Sequence, residues 1–278
     1  MTRSAPLVVI RGGGDLATGV AARLARSGFA VAVTELHQPQ AIRRTVALAE
    51  AVYRGETAVE DLTARRVGSP ARALDEIARG VIPVLIDPEA ESLEDLHPVA
   101  LVDARMRKRP NELGCHAAAF VIGLGPGFVA GEDCHAVIET KRGHRLGRVI
   151  WKGPAEADTR LPGEVGGQAA RRVLRAPADG HVDPREEIGA RLAEGQLVAE
   201  IAGYEVRAPF AGVLRGLIHG EVPVTTGMKI GDVDPRGEAA YCWEISDKAL
   251  AIGSGVLEAL LSRRDIRRSL GEQTSAAS

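Results

Sequence analysis

The period of the hydrophobic positions changes along this chain, and each change marks an element. Leu7 to Ile10 is an unbroken apolar run, the pattern of a strand buried on both faces. Gly12-Gly13-Gly14 follows, then helical spacing from Val20 to Ser27, then a second apolar run from Phe29 that ends on Thr34-Glu35. Ile42, Val46, Ala49 and Tyr53 predict a helix over Ala41 to Tyr53. Ala58 to Val67 predicts one or two short strands, Ala71 to Arg79 a helix, and Val81 to Ile86 a buried strand stopped by Asp87-Pro88. Glu91 to Leu96 predicts a helix and Val99 to Asp103 a strand. Such alternation predicts an α/β fold with a Rossmann-like, doubly wound parallel sheet.

Ala118 to Ile122 is strand-like and runs into Gly123-Leu124-Gly125-Pro126-Gly127-Phe128. Pro126 argues against a helix starting directly after the glycines, so this is a second turn, either an anion nest or a tight structural turn. Cys134 to Thr140 reads as a further strand. From Lys152 to Arg172 the composition shifts to Gly, Pro, Glu and Ala, which marks a boundary. Beyond it, Ala-Pro-x-x-Gly at 176–180 recurs 32 residues later at 208–212, and Gly195, Val198 and Ile201 recur in the same phase as Gly227, Ile230 and Val233. Two interlocked β halves are the expected result. They resemble the barrel-sandwich hybrid of biotinyl and lipoyl domains, but the hairpin at Ala202 to Glu205 has no lysine, and Met228-Lys229-Ile230 falls in the wrong half for a carrier motif. No biotin or lipoyl attachment is expected. Ile245 to Leu261 predicts a C-terminal helix, with Ser246 or Asp247 as N-cap. The expected organisation is 1–160 for the nucleotide-binding part, 173–236 for the β repeat and 237–278 for the helix and a polar tail.

Composition narrows the function. The 278 residues are 45% hydrophobic but only 3% aromatic, so the cores are aliphatic. A balance of 35 basic and 37 acidic residues leaves no electrostatic footprint for nucleic acid or an anionic membrane. No apolar stretch has signal-peptide or membrane-spanning length, and three scattered cysteines suit a reducing compartment, so a cytoplasmic protein is expected. A homo-oligomer stays open.

The glycine turn carries the first candidate chemistry. Gly12 and Gly14 let the backbone turn tightly and approach a pyrophosphate, Gly13 and Asp15 complete the turn, and Ala17 is the small residue required for helix–sheet packing. Glu35, 21 residues after Gly14, stands where a carboxylate accepts from ribose hydroxyls. Arg43 and Arg44 could meet phosphates or form a solvated helix face. Asp87 and Asp103, at strand ends, could bind ligand or cap the next turn.

A second cluster follows the second glycine turn. Cys134, His135, Arg142 and His144 are candidate catalytic residues, with Gly123, Gly125 and Gly127 as candidate cofactor contacts. In a strand, His135 and Glu139 share a face about 13 Å apart at ~3.3 Å per residue, too far to bind one ion together. No metal site is therefore expected. The reading is a polar pocket in which Lys141 and Arg142 counter an anion, Thr140 hydrogen-bonds it and His135 or His144 handles a proton. Cys134 is either a reactive thiol or a small buried residue.

Val9 to Gly19, the Gly123–Phe128 turn, Cys134 to Val149, Ala-Pro-x-x-Gly at 176–180 and Lys229 to Gly237 together resemble the YqeB family, associated with selenium-dependent molybdenum hydroxylases. The glycine loop is also similar to that of XdhC-type chaperones. The resemblance implies an accessory protein that binds the dinucleotide form of the molybdenum cofactor, or assists its modification or insertion, with a hydroxylase apo-enzyme as partner. Whether such a protein catalyses a reaction is left open by the residues. Two alternatives stand beside it: an NAD-dependent oxidoreductase using the same loop, with NAD as cofactor, and a non-catalytic docking scaffold.

Overall fold

The computed structural model describes residues 5–106, 112–157, 167 and 170–274. Most of the basic loop after Met106, most of the 152–172 boundary and the last four residues of the polar tail lie outside them.

The first half of the chain builds a large sheet and a separate two-stranded one. Its elements are β1 (Leu7–Arg11), α1 (Asp15–Arg26), β2 (Ala30–Glu35), the short α2 (Ala51–Arg54), β3 (Glu56–Val59), β4 (Leu62–Val67), α3 (Pro70–Ala78), β5 (Ile82–Ile86), α4 (Leu93–Leu96) and β6 (Ala100–Asp103). Then come β7 (Val121–Leu124), β8 (Val129–Ala130), β9 (Ala136–Ile138), β10 (Val149–Ile150) and β11 (Gly153–Pro154). β8 and β11 form the two-stranded sheet, and the large one has nine strands in the order β10-β9-β7-β6-β1-β2-β5-β4-β3. The inner pairings are parallel, and both edges, β10 on β9 and β3 on β4, are antiparallel.

The second half forms β12 (Val173–Arg175), β13 (Asp183–Pro184), β14 (Arg191–Leu192), β15 (Leu197–Ile201), β16 (Tyr204–Arg207), β17 (Gly212–Leu217) and β18 (Lys229–Asp234). They divide into a four-stranded sheet, β12-β18-β17-β14, and a three-stranded sheet, β13-β15-β16, around one aliphatic core. Two helices end the chain, α5 (Asp247–Ser262) and α6 (Arg264–Thr274).

The expected Rossmann-like doubly wound parallel sheet, joined to a barrel-sandwich-hybrid-like module and a separate C-terminal helix, is corrected here. The architecture is a mixed α/β fold with a large, parallel-rich sheet. No α-helix lies among the described residues between β6 and β10. The face of β7 and β9 is covered instead by α5, which arrives from the far end of the chain and shares a core with α1. The β region is not closed on itself either, because Ile42 and Tyr53 of the first half pack against its core. Tyr53 also stacks on His219 with ring centroids 3.8 Å apart.

The helix predicted over Ala41 to Tyr53 is a second correction. The segment folds as two 3-10 turns and the four-residue α2. Its side chains are committed to tertiary contacts: Arg44 donates to Leu217 O at 2.7 Å, and an added Cβ on Gly216 would lie 2.7 Å from Ile42 O. Docking of this loop on β17 overrides local helix propensity.

Helices α1 and α5 cross backbone to backbone. A Cβ on Gly19 would lie 2.4 Å from the carbonyl of Ala249, and one on Gly253 2.4 Å from Gly19 O. We therefore expect Gly19→Ala or Gly253→Ala to force the helices apart and to cost about 3 kcal/mol in urea-melt stability. Gly271→Ala in α6, where an added Cβ meets nothing within 4 Å, should be neutral or stabilising.

Candidate functional site

The parallel strands deliver their C-terminal ends to a cleft of about 1200 Å³ between the large sheet and the β region. Its floor is the glycine turn. Gly12 adopts φ +92°, and its amide donates to Thr34 O at 2.7 Å, which turns the chain out of β1. Gly13 is a packing glycine, since its Cβ would lie 2.8 Å from Ala49 N. Gly14 is different: a Cβ there meets nothing within 4 Å, and the residue lines the cleft. Helix α1 then begins at Asp15 with no side chain capping its N-terminus. First-turn amides without intrahelical acceptors thus face the cleft, a disposition suited to an anion.

Glu35 reaches the cleft from the end of β2, but its carboxylate turns back onto the loop. It accepts from Gly13 N at 2.8 Å and Leu36 N at 2.6 Å. Burial pushes its pKa up, partly offset by those two amides. Ala17 lines the cleft and packs in the helix–sheet core.

Arg11, at the end of β1, is 1% exposed. It stands between Thr34 and Asp103 in register, and its Nη1 lies 3.1 Å from Glu112. Burial and the neighbouring Arg105 guanidinium push its pKa down. Asp103 holds Arg105, and Asp87 accepts from the amides of Glu91 and Ser92, so each is engaged by its own chain. Arg43 lines the cleft, 3.4 Å from Asp15, while donating to the carbonyls of Tyr241 and Glu244.

The second predicted cluster is divided by the fold. Thr140, Lys141 and Arg142 line the cleft, Arg142 in a two-point pair with Asp247 at 2.7 Å. Cys134, His135 and His144 do not line it. Cys134 is fully buried under β7, and burial pushes its thiol pKa far up. His135 Nδ1 accepts from Val121 N at 3.0 Å, and its ring leans on Phe120. His144 is exposed. The second glycine turn is structural at two of its three glycines: a Cβ on Gly123 would enter the Phe128 ring, and one on Gly125 would lie 2.4 Å from Thr140 Oγ1. Gly127 adopts φ +106°, and neither it nor the other two line the cleft, where Pro126 does. Among the described residues no three His, Cys, Asp or Glu side chains gather as a metal site.

Sequence reading missed most of the opposite wall. Arg172, Arg215, Lys229 and Asp232 come from the β region, and Ser246 and Lys248 from the start of α5. Lys229 was visible only as a misplaced carrier-like lysine. Lys248 did carry a signal, because a cation in the first turn of a helix opposes the macrodipole.

No protein-family profile matches the chain. It is 49% identical over 255 residues to the uncharacterised protein YqeB of Escherichia coli (strain K12), a match covering 92% of the chain and 47% of that relative. The chain is a YqeB homologue. It spans about half the length of that curated relative, and the family resemblance seen in its motifs is supported over this stretch. Among solved structures it is similar to the product-bound ectoine utilization protein EutE (DoeB) of Ruegeria pomeroyi, at 13% identity and TM-score 0.24. It is also similar to a succinylglutamate desuccinylase/aspartoacylase of Rhodobacter sphaeroides, at 16% identity and TM-score 0.26. Each match covers 83% of this chain and 85% of the other. At such scores these likenesses carry no argument. Among the described residues no helix of this YqeB homologue is long and apolar enough to cross a membrane.

Two measurements test the site's chemistry. Iodoacetamide should leave Cys134 unmodified in the native protein and label it only after unfolding; rapid native labelling would restore it as a reactive thiol. Hydrogen bonding to Arg105 lowers Glu112 from 4.5 to about 2. Its contribution to stability is thus present above about pH 4.5 and lost as pH falls toward 2. Glu112→Gln should flatten the stability-versus-pH curve over that window, modestly, because the carboxylate is 37% exposed.

Proposed function

We propose that this YqeB homologue binds a nucleotide-bearing cofactor in the cleft, with the dinucleotide form of the molybdenum cofactor as the ligand that its family resemblance suggests. The observation that carries the reading is the uncapped start of α1 at the open Gly14, facing a cleft large enough for a dinucleotide and walled by basic residues. The donor set fits such a group. Gly14 and the α1 amides suit its pyrophosphate, Gly12 turns the chain beneath them with its amide on Thr34 O, and Glu35 lines the cleft at the end of β2, the place from which a carboxylate meets a ribose in such loops. The bound cofactor would supply the molybdenum chemistry; this chain's part is to hold and orient it.

None of the three cysteines lines the cleft, which favours holding and delivering a cofactor over passing sulfur or selenium through a thiol of this chain. In this reading the partner is a hydroxylase apo-enzyme that receives the loaded cofactor.

Gly14→Asp provides the test. The mutation adds a carboxylate at the helix start, where an added Cβ has open space, so the fold should survive. We expect wild-type protein to bind the reconstituted dinucleotide cofactor in calorimetry, the variant to bind it at least about tenfold more weakly, and hydroxylase maturation to fail in cells carrying the variant. Unchanged maturation, or no binding by wild type, would sink the proposal; preferential binding of NADH would move the reading to a nicotinamide enzyme.

A further inference from the structure

Nine basic side chains among the described residues line the cleft, and all but two have an acidic partner or an ion pair nearby. Arg43 has Asp15, Lys141 has Glu156, Arg142 has Asp247, and Arg172 has Asp232 at 2.6 Å. Arg215 lies 3.5 Å from Asp234, while Arg11 and Arg105 meet at Glu112. Lys229 and Lys248 form no ion pair or side-chain hydrogen bond among the described residues.

Their placement is unfavourable for the protein alone. Lys248 sits in the first turn of α5, where the helix dipole repels a cation. Burial lowers the pKa of both lysines, although Lys229 keeps an exposed side chain and Lys248 is half-buried, so both ammonium groups stand at the cleft surface within reach of a ligand. Lys229 feels Asp232 and Asp15, and Lys248 feels Asp15, Glu139 and Asp247, but Asp232 is engaged by Arg172, Asp15 by Arg43, Asp247 by Arg142, and Glu139 by the amides of Lys141 and Glu156. Behind them Arg215 is 9% exposed, and its Nε has no hydrogen-bond partner. Two cations without an ion-pair partner of their own among the described residues, lining the same cleft as two helix starts, make a wall suited to an added anion.

We infer that Lys229 and Lys248 form a phosphoryl clamp across the cleft from the glycine turn, so that the β region and α5 are parts of the ligand site and the ligand is a diphosphate or phosphate ester of charge −2 or more. The inference rests on the nucleotide reading above for the glycine-turn half of the site, but the clamp itself requires only the phosphoryl charge. Each lysine would donate to phosphoryl oxygens, with the helix starts adding their amides.

Inorganic pyrophosphate in EDTA is the probe, titrated calorimetrically against wild type, Lys229→Met, Lys248→Met and Lys229→Arg. Each Met variant should weaken pyrophosphate by about tenfold or more and shallow the salt dependence of binding, whereas Lys229→Arg should retain most of the affinity. Both Met variants should keep Tm, since neither lysine makes an ion pair or side-chain hydrogen bond among the described residues; a lysine serving stability alone would lower it. Pyrophosphate affinities within twofold of wild type in both Met variants overturn the clamp, as does wild type that binds no pyrophosphate. Binding of the dinucleotide cofactor that is sensitive to Gly14→Asp but indifferent to both lysines would leave the nucleotide reading standing and the clamp refuted. Lysine-dependent pyrophosphate binding with no dinucleotide binding would do the reverse.

Discussion

Helices α1 and α5 approach closely because neither has a Cβ where they cross. Gly19 lies against the carbonyl of Ala249, and Gly253 lies against the carbonyl of Gly19. A second close approach, Gly255 against Gly147 O, fixes α5 to the loop after β9. Glycine in a helix interior costs about 1 kcal/mol relative to alanine. Here it permits a crossing that brings the first turn of α5 to the cleft in which α1 begins. The cleft therefore depends on this contact: its floor comes from residues 11 to 17 and part of its wall from Ser246 and Lys248.

The segment from Leu36 to Arg54 does the corresponding work between the sheet and the β region. Ile42 meets Gly216 backbone to backbone, Arg44 hydrogen-bonds Leu217 O, Gln38 reaches Glu221 O, and Tyr53 stacks on His219. These contacts bring the cations of β17 and β18 opposite the glycine turn. The cleft is consequently a joint product of three stretches of chain, and its charge is arranged unevenly, with the paired arginines and Lys141 around two lysines that form no ion pair among the described residues. Paired guanidinium groups hold shape and limit the net field; unpaired ammonium groups are the ones available to a ligand.

The two glycine turns show how similar composition leads to different uses. After β1, Gly14 leaves open space in front of an uncapped helix. After β7, Gly123 makes room for Phe128 and Gly125 for Thr140, so those glycines serve packing. The physical difference lies in the element each turn leads into. The first enters a helix of three turns that supplies aligned amides, whereas in the second Pro126 removes a donor and sends the chain into a short strand.

Local pattern determined the early strands, α1, α3, the glycine turn and the position of Glu35, because apolar periodicity and glycine conformational freedom act over a few residues. Pattern also placed Lys141 and Arg142 in one polar pocket, and both line the cleft. It misassigned the 41–53 segment and joined His135 and His144 to a pocket they do not line, since strand parity shows which residues share a face but not what that face meets. The return of α5 onto α1 and the meeting of Lys229 and Lys248 at one cleft were decided only in three dimensions. Those features depend on backbone approaches between residues more than a hundred positions apart, and no property of either partner's local sequence specifies the other.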